Sequence, residues 1–310
     1  MKIGRSVAAN DILCFFSTSQ RENNDAINKI REKILPLLVK ERFMKESGTA
    51  ERFTNHEKYG KYWKLVSYEW NCAVDKIALQ TDIPDFTSIS INVLGGRKHN
   101  HDANIHYYNG ETIVGTRKIE FKNGCTDISK LPQFLSIPAK GDLFPKSYSE
   151  YWYENFMDKY IACDTEITEE KPSLQTYLKN VGSTDTGVSP FFSQLKIRES
   201  YFKEAKNDVV NVSISEYLET HGKDINLEFF KEKIKSSQTD KIFVMWSQQC
   251  HTFGIDMFLD CDMNDMTFHS IKNGNAVQIQ SGNTIYSLLL RWRNHKGILN
   301  PAWQISMKRI

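Results

Sequence analysis

The sequence predicts a mixed α/β fold: a mixed β-sheet flanked by helices, followed by a strand-rich C-terminal half. Three observations carry the architecture. Apolar residues recur at helical spacing before Gln80, three segments between Thr87 and Lys122 keep to the period of extended strands, and five more extended segments follow Lys241.

Taken in order, Asp25 to Phe43 and Tyr62 to Gln80 read as helices. In the second, Trp63, Val66, Trp70, Val74, Ile77 and Ala78 form an apolar stripe, and Pro84 closes it. Thr87 to Leu94 alternates polar and apolar residues and stops at Gly95-Gly96. Two strands follow, Asp102 to Tyr108 and Ile113 to Lys122, joined through the turn signal Asn109-Gly110. Asp127 to Ile137 then reads as helix. Tyr148 to Tyr160 carries aromatics at helical spacing, which suits core packing. The acidic, Thr-rich stretch Ile161 to Lys171 reads as a linker or long surface loop, separating residues 1–160, the helical N-terminal region and mixed-sheet core, from the strand-rich residues 172–310, which form a recognition part or pack on the same core. In the latter, Lys241 to Trp246, Thr267 to Lys272, Ala276 to Gln280, Ile285 to Trp292 and Ala302 to Met307 look extended, with turns at Asn273-Gly274 and Ser281-Gly282.

Composition narrows the class. The chain has 310 residues, 40% hydrophobic and 25% charged, with no repeat and no apolar run of membrane-spanning length, so a folded protein without a membrane partner is expected. The N-terminus lacks the apolar stretch of a signal peptide, and the expected location is intracellular. Cys14, Cys72, Cys125, Cys163, Cys250 and Cys261 are scattered without zinc-knuckle spacing, and they read as reduced and inert. A formal net charge of +2 excludes a uniformly basic nucleic-acid coat, so any nucleic-acid surface must be local.

Glu-x-Lys occurs three times, and context separates the copies. Glu169 and Lys171 precede Pro172 in the loop, and Glu204 and Lys206 fall in a helix-like stretch where residues two apart face different ways. Glu120 and Lys122 alone lie in a predicted strand, where the pleat puts both on one face about 7 Å apart. Asp102 opens the preceding strand. Strands about 4.8 Å apart could bring its carboxylate near Glu120, so that both hold one divalent cation. Such a cation serves phosphodiester hydrolysis, and the Lys122 ammonium would orient the attacking water or offset charge on the phosphoryl group.

Asp102 followed by Glu120-Phe121-Lys122 resembles the PD-(D/E)XK nuclease superfamily, to which most type II restriction endonucleases belong. The resemblance spans Trp63 to Tyr153. It implies a restriction-endonuclease-like core and a magnesium-dependent DNA endonuclease, with manganese able to substitute, acting on double-stranded DNA as a homodimer with two symmetric sites. It also implies a metal ligand on the helix before the first strand, for which Glu69 is the match, and a polar residue on the helix after the third, matched by Gln133. The family's usual proline before the first acid is replaced here by His101. Register sets a condition. A two-residue loop at Asn109-Gly110 would put Asp102 opposite Arg117 and on the wrong face, so the site requires a wider loop reaching to about Ile113 or a bulge near Gly115.

Two other readings compete. The run His99-Asn-His101-Asp102-Ala-Asn-Ile-His106 suggests a histidine-ligated, metal-dependent hydrolase, although its spacing fits known histidine motifs poorly. A non-catalytic DNA-binding protein is the other. Arg291, Arg293, Asn294, His295, Lys296 and Asn300 lie in a stretch with no acid up to Ile310, and such side chains suit phosphates and base edges.

Overall fold

In a computed structural model, which describes residues 83, 85–94, 99, 101–181, 189–238, 241–247, 252–257, 263–295 and 298–310, the strands form two five-stranded sheets. The chain divides into two units, Met1–Pro132 with Gln238–Phe258, and Gln133–Ser237 with Leu259–Ile310.

The first unit holds β1 (Ser88–Val93), β2 (Ala103–Asn109), β3 (Thr112–Asn123), β5 (Lys241–Ser247) and β6 (Thr252–Met257), in the order β1-β2-β3-β5-β6. All pairs are antiparallel except β3 with β5, which run parallel. In β2, Ala103, Ile105 and Tyr107 are buried while their neighbours are half-buried, the pattern of a strand with one face on the core. On β5, Lys241, Ile242, Phe243, Val244 and Met245 are all fully buried, so both faces of that strand are covered. A parallel neighbour demands a long crossover, and the chain between β3 and β5 makes it by building most of the second unit.

The second unit pairs β4 (Leu135–Pro138), β7 (Thr267–Lys272), β8 (Ala276–Ser281), β9 (Thr284–His295) and β10 (Ile298–Arg309) in the antiparallel order β4-β10-β9-β8-β7. Its helices are α1 (Tyr148–Asn155), α2 (Met157–Ala162), α3 (Leu174–Asn180), α4 (Pro190–Ile197), α5 (Lys203–His221) and α6 (Leu227–Gln238). A reciprocal capping box between Ser147 and Glu150 starts α1. The aromatics of α1 are core, as expected. Tyr148 and Trp152 are fully buried; Trp152 packs edge-on against Trp292 of β9 at 4.5 Å, and the indole of Trp292 donates to the Tyr148 hydroxyl at 2.9 Å.

The strand expectations match β1, β2, β3, β5 and β7 to β10 to within a few residues. The helix expected over Asp127 to Ile137 does not form. The Asp127 side chain accepts from the amide of Ser129 and starts only a 3-10 turn, Ile128–Lys130, and Leu131 is extended at φ −62°, ψ 122° because the ring of Pro132 excludes the helical conformation before it. Strand β4 follows directly. Residues 163–173 form a loop inside the second unit, tied down by Asp164. Its carboxylate receives two bonds from Arg198, at 2.6 and 3.0 Å, and one from the buried Lys206 at 3.0 Å. The predicted helices Asp25 to Phe43 and Tyr62 to Gln80 lie outside the described residues.

Candidate active site

The turn between β2 and β3 decides the geometry. Asn109 pairs with Thr112 across Gly110 and Glu111, and Gly110 takes the left-handed φ of +61° that a residue without Cβ adopts freely. Regular pairing from that turn would set Ala103 opposite Lys118. One irregularity shifts this by a residue. Tyr108 pairs with Ile113 but Tyr107 with Gly115, so Val114 is an extra residue on β3, and beyond it Ala103 pairs with Ile119. Ala103 with Ile119 is the last pair of this register, and Asp102 stands just before β2. The bulge expected near Gly115 is therefore present.

Backbone bonds fix the position. The amide of Asp102 donates to the Ile119 carbonyl at 2.8 Å, and the amide of Phe121 donates to Oδ2 of Asp102 at 2.7 Å. Burial pushes the Asp102 carboxyl above the usual carboxylate range, with the charge of Glu120 adding to the rise, while the Phe121 amide and the charges of Lys122 and Lys241 oppose it. The two acids thus sense one another directly.

Glu120 is buried, at 7% exposure, and an ammonium holds each of its carboxylate oxygens. Lys122 Nζ lies 2.5 Å from Oε1, as the shared strand face predicts, and Lys241 Nζ lies 2.5 Å from Oε2. Lys241 is the residue that sequence reasoning missed. The parallel register sets it level with Lys118, one pleat behind Glu120 on the same face, and its flexible stem spans the remaining distance. Burial lowers its pKa, and the Glu120 carboxylate works against that fall. The available signal was a lysine at the head of an otherwise apolar strand, Lys241-Ile-Phe-Val-Met245.

The other expected site residues fare differently. Glu69 lies outside the described residues. Gln133 is half-buried in the extended segment before β4, not on a helix, and begins the second unit. Of the histidines, His101 Nε2 lies 2.6 Å from the Asn104 amide oxygen, and His106 Nδ1 lies 3.0 Å from the Thr116 hydroxyl. Burial lowers the pKa of His101. In the second unit, Arg291 is exposed on β9, while Arg293, Asn294 and His295 pair along the ladder with Asn300, Leu299 and Ile298 of β10. Lys296 lies outside the described residues.

The chemistry of the donor set decides which cation suits it. Among the described residues no group of three or more His, Cys, Asp or Glu side chains could hold a metal ion. A hard cation such as magnesium characteristically takes one or two carboxylates and fills its remaining positions with water and substrate phosphate, so Asp102 and Glu120 fit it where a zinc site would want more protein ligands. Among the described residues no helix is long and apolar enough to cross a membrane. No protein-family model matches the chain, and no curated protein sequence matches it at a significant level.

Proposed function

We propose that the chain is a magnesium-dependent DNA endonuclease with a restriction-endonuclease-like core, its site formed by Asp102, immediately before β2, and by Glu120 and Lys122 on β3. The observation that carries this reading is the amide of Phe121, which donates to Oδ2 of Asp102 and so ties that carboxylate to the backbone between Glu120 and Lys122. A mixed sheet with the acids on adjacent strands is also the arrangement that the resemblance to PD-(D/E)XK nucleases requires.

Asp102 and Glu120 would hold magnesium or manganese between them, with Glu69 as a further ligand. Bound there, the cation supplies a water of lowered pKa and neutralises phosphate charge. Lys122 has the remaining part. Half-buried beside Glu120, its ammonium directs the attacking water or meets the negative charge that builds on the phosphoryl oxygens. Burial of Glu120 and half-burial of Asp102 strengthen each of these interactions. Double-stranded DNA is the substrate of this reading, a homodimer is its symmetric form, and Arg291, Arg293, Asn294, His295, Lys296 and Asn300 are its candidates for DNA contact.

Digestion of a defined plasmid with magnesium or with EDTA tests the proposal. Wild-type protein is expected to produce magnesium-dependent ends, and Lys122→Ala to lose cleavage while retaining DNA binding. Cleavage that survives Lys122→Ala but disappears on zinc chelation would favour the histidine-ligated hydrolase instead.

A further inference from the structure

Every charge at the site has an opposite beside it. Asp102 and Glu120 are balanced by Lys122 and Lys241, with both oxygens of Glu120 in contact with an ammonium. Lys122 has an expected chemical task. Lys241 has none so far, yet it is fully buried, and a buried ammonium is costly enough that its placement against Glu120 calls for an account.

We propose that Lys241 is a charge-balancing residue that keeps the free protein's affinity for magnesium low, so that the cation is taken up together with the DNA phosphate. This rests on the nuclease reading of the same site. With Lys241 in place the four side chains sum to zero, and a divalent cation entering alone would meet one carboxylate already held by two ammoniums. A phosphodiester and a hydroxide together bring two negative charges, which match the two positive charges of magnesium and restore balance. Without Lys241 the site would carry a net negative charge and attract the cation on its own. Lys241 also fixes Oε2 of Glu120, so that Oε1 remains the oxygen shared with Lys122.

Calorimetric titration of magnesium into the full chain, without DNA, tests this with Lys241→Gln, Lys241→Met and Lys241→Arg. The Gln and Met variants are expected to bind magnesium at least about tenfold more tightly than wild type, and the Arg variant, which keeps the charge, to bind as weakly as wild type. Lys241→Met carries the test if Lys241→Gln does not fold, because its unbranched side chain fills the space of the lysine stem and Glu120 keeps Lys122 as a partner. In nicking assays, the magnesium concentration for half-maximal rate should fall as DNA concentration rises for wild type, and this dependence should shrink in the Met variant. A purely structural lysine would lower the melting temperature without tightening magnesium binding, and that result overturns the proposal. Tighter magnesium binding by Lys241→Met in a protein whose wild type nicks no plasmid would leave the charge-balancing role standing and remove the nuclease reading. Nicking by wild type with unchanged magnesium affinity in the Met variant would do the reverse.

Discussion

Two aspartates in this chain face opposite electrostatic situations, and each sets a pH dependence of opposite sign. Asp164, bound by Arg198 and Lys206, is held down to about 2, first by the Arg198 hydrogen bonds. Its contribution to stability is complete above the unfolded carboxylate value of about 4 and is lost as pH falls through its folded value. Acid unfolding followed by circular dichroism should therefore show a loss of stability between about pH 4 and pH 2 that is absent in Asp164→Asn. That variant should also be less stable at neutral pH by on the order of 3 kcal/mol, because it leaves two cations without their partner. Asp102 is the reverse case. Its folded pKa is raised, so its ionisation costs stability as pH rises from the ordinary carboxylate range through that higher value. Asp102→Asn keeps an acceptor for the Phe121 amide and removes the charge; thermal melts at neutral pH should show a melting temperature equal to or above that of wild type. A group that lowers stability where it stands is what a functional site often contains. At this scale the sequence revealed Asp102, Glu120 and Lys122 because strand period and spacing express their relation locally. Lys241 is 121 residues from Glu120, and no local rule connects them.

At the scale of elements, the legible strands were runs that either alternate, as in β2, or are apolar almost throughout, as in β5. Strand β6, Thr252–Met257, was not anticipated because Gly254 and Asp256 break its apolar pattern, and β4 is only four residues long and ends in Pro138. The glycine has a steric reason. A Cβ at Gly254 would stand 1.8 Å from the Thr126 carbonyl oxygen, a backbone atom that cannot swing aside. Gly254→Ala is therefore expected to destabilise the fold by about 3 kcal/mol or to displace the segment after β3, measured as a shift in the denaturant midpoint. The helix expected after β3 failed for a different reason. Its residues have adequate helix propensity, but Pro132 dictates the conformation of Leu131, and the segment leaves as an extended chain instead. The bulge at Val114 was visible only as a requirement of the chemistry, since nothing in Ile113-Val-Gly115 states which residue will go unpaired.

At the scale of the whole molecule, the fold makes the candidate site depend on distant parts of the chain. Strand β5 is the only parallel neighbour of β3 among the described residues, is buried on both faces, and arrives after the crossover through the second unit. A fragment ending at Pro132 should therefore lack a stable sheet, with circular dichroism and amide exchange of an unfolded chain, whereas the full chain should unfold cooperatively. The twofold organisation legible in composition, a core and a strand-rich C-terminal half, gives way to a finer division in which β5 and β6 join β1 to β3 while β7 to β10 build the second sheet. Long-range strand partnership, which depends on the crossover rather than on local pattern, is what the sequence left unexpressed. The central claim is that Asp102 and Glu120 act together on a phosphodiester through a divalent cation. Its most direct measurement is the nicking of supercoiled plasmid by wild type and by Asp102→Asn, with magnesium and with EDTA. Relaxation of the plasmid by wild type in magnesium alone, reduced about a thousandfold in a fully folded Asp102→Asn, is the predicted result; undiminished nicking by that variant, or none by wild type in magnesium, would contradict it.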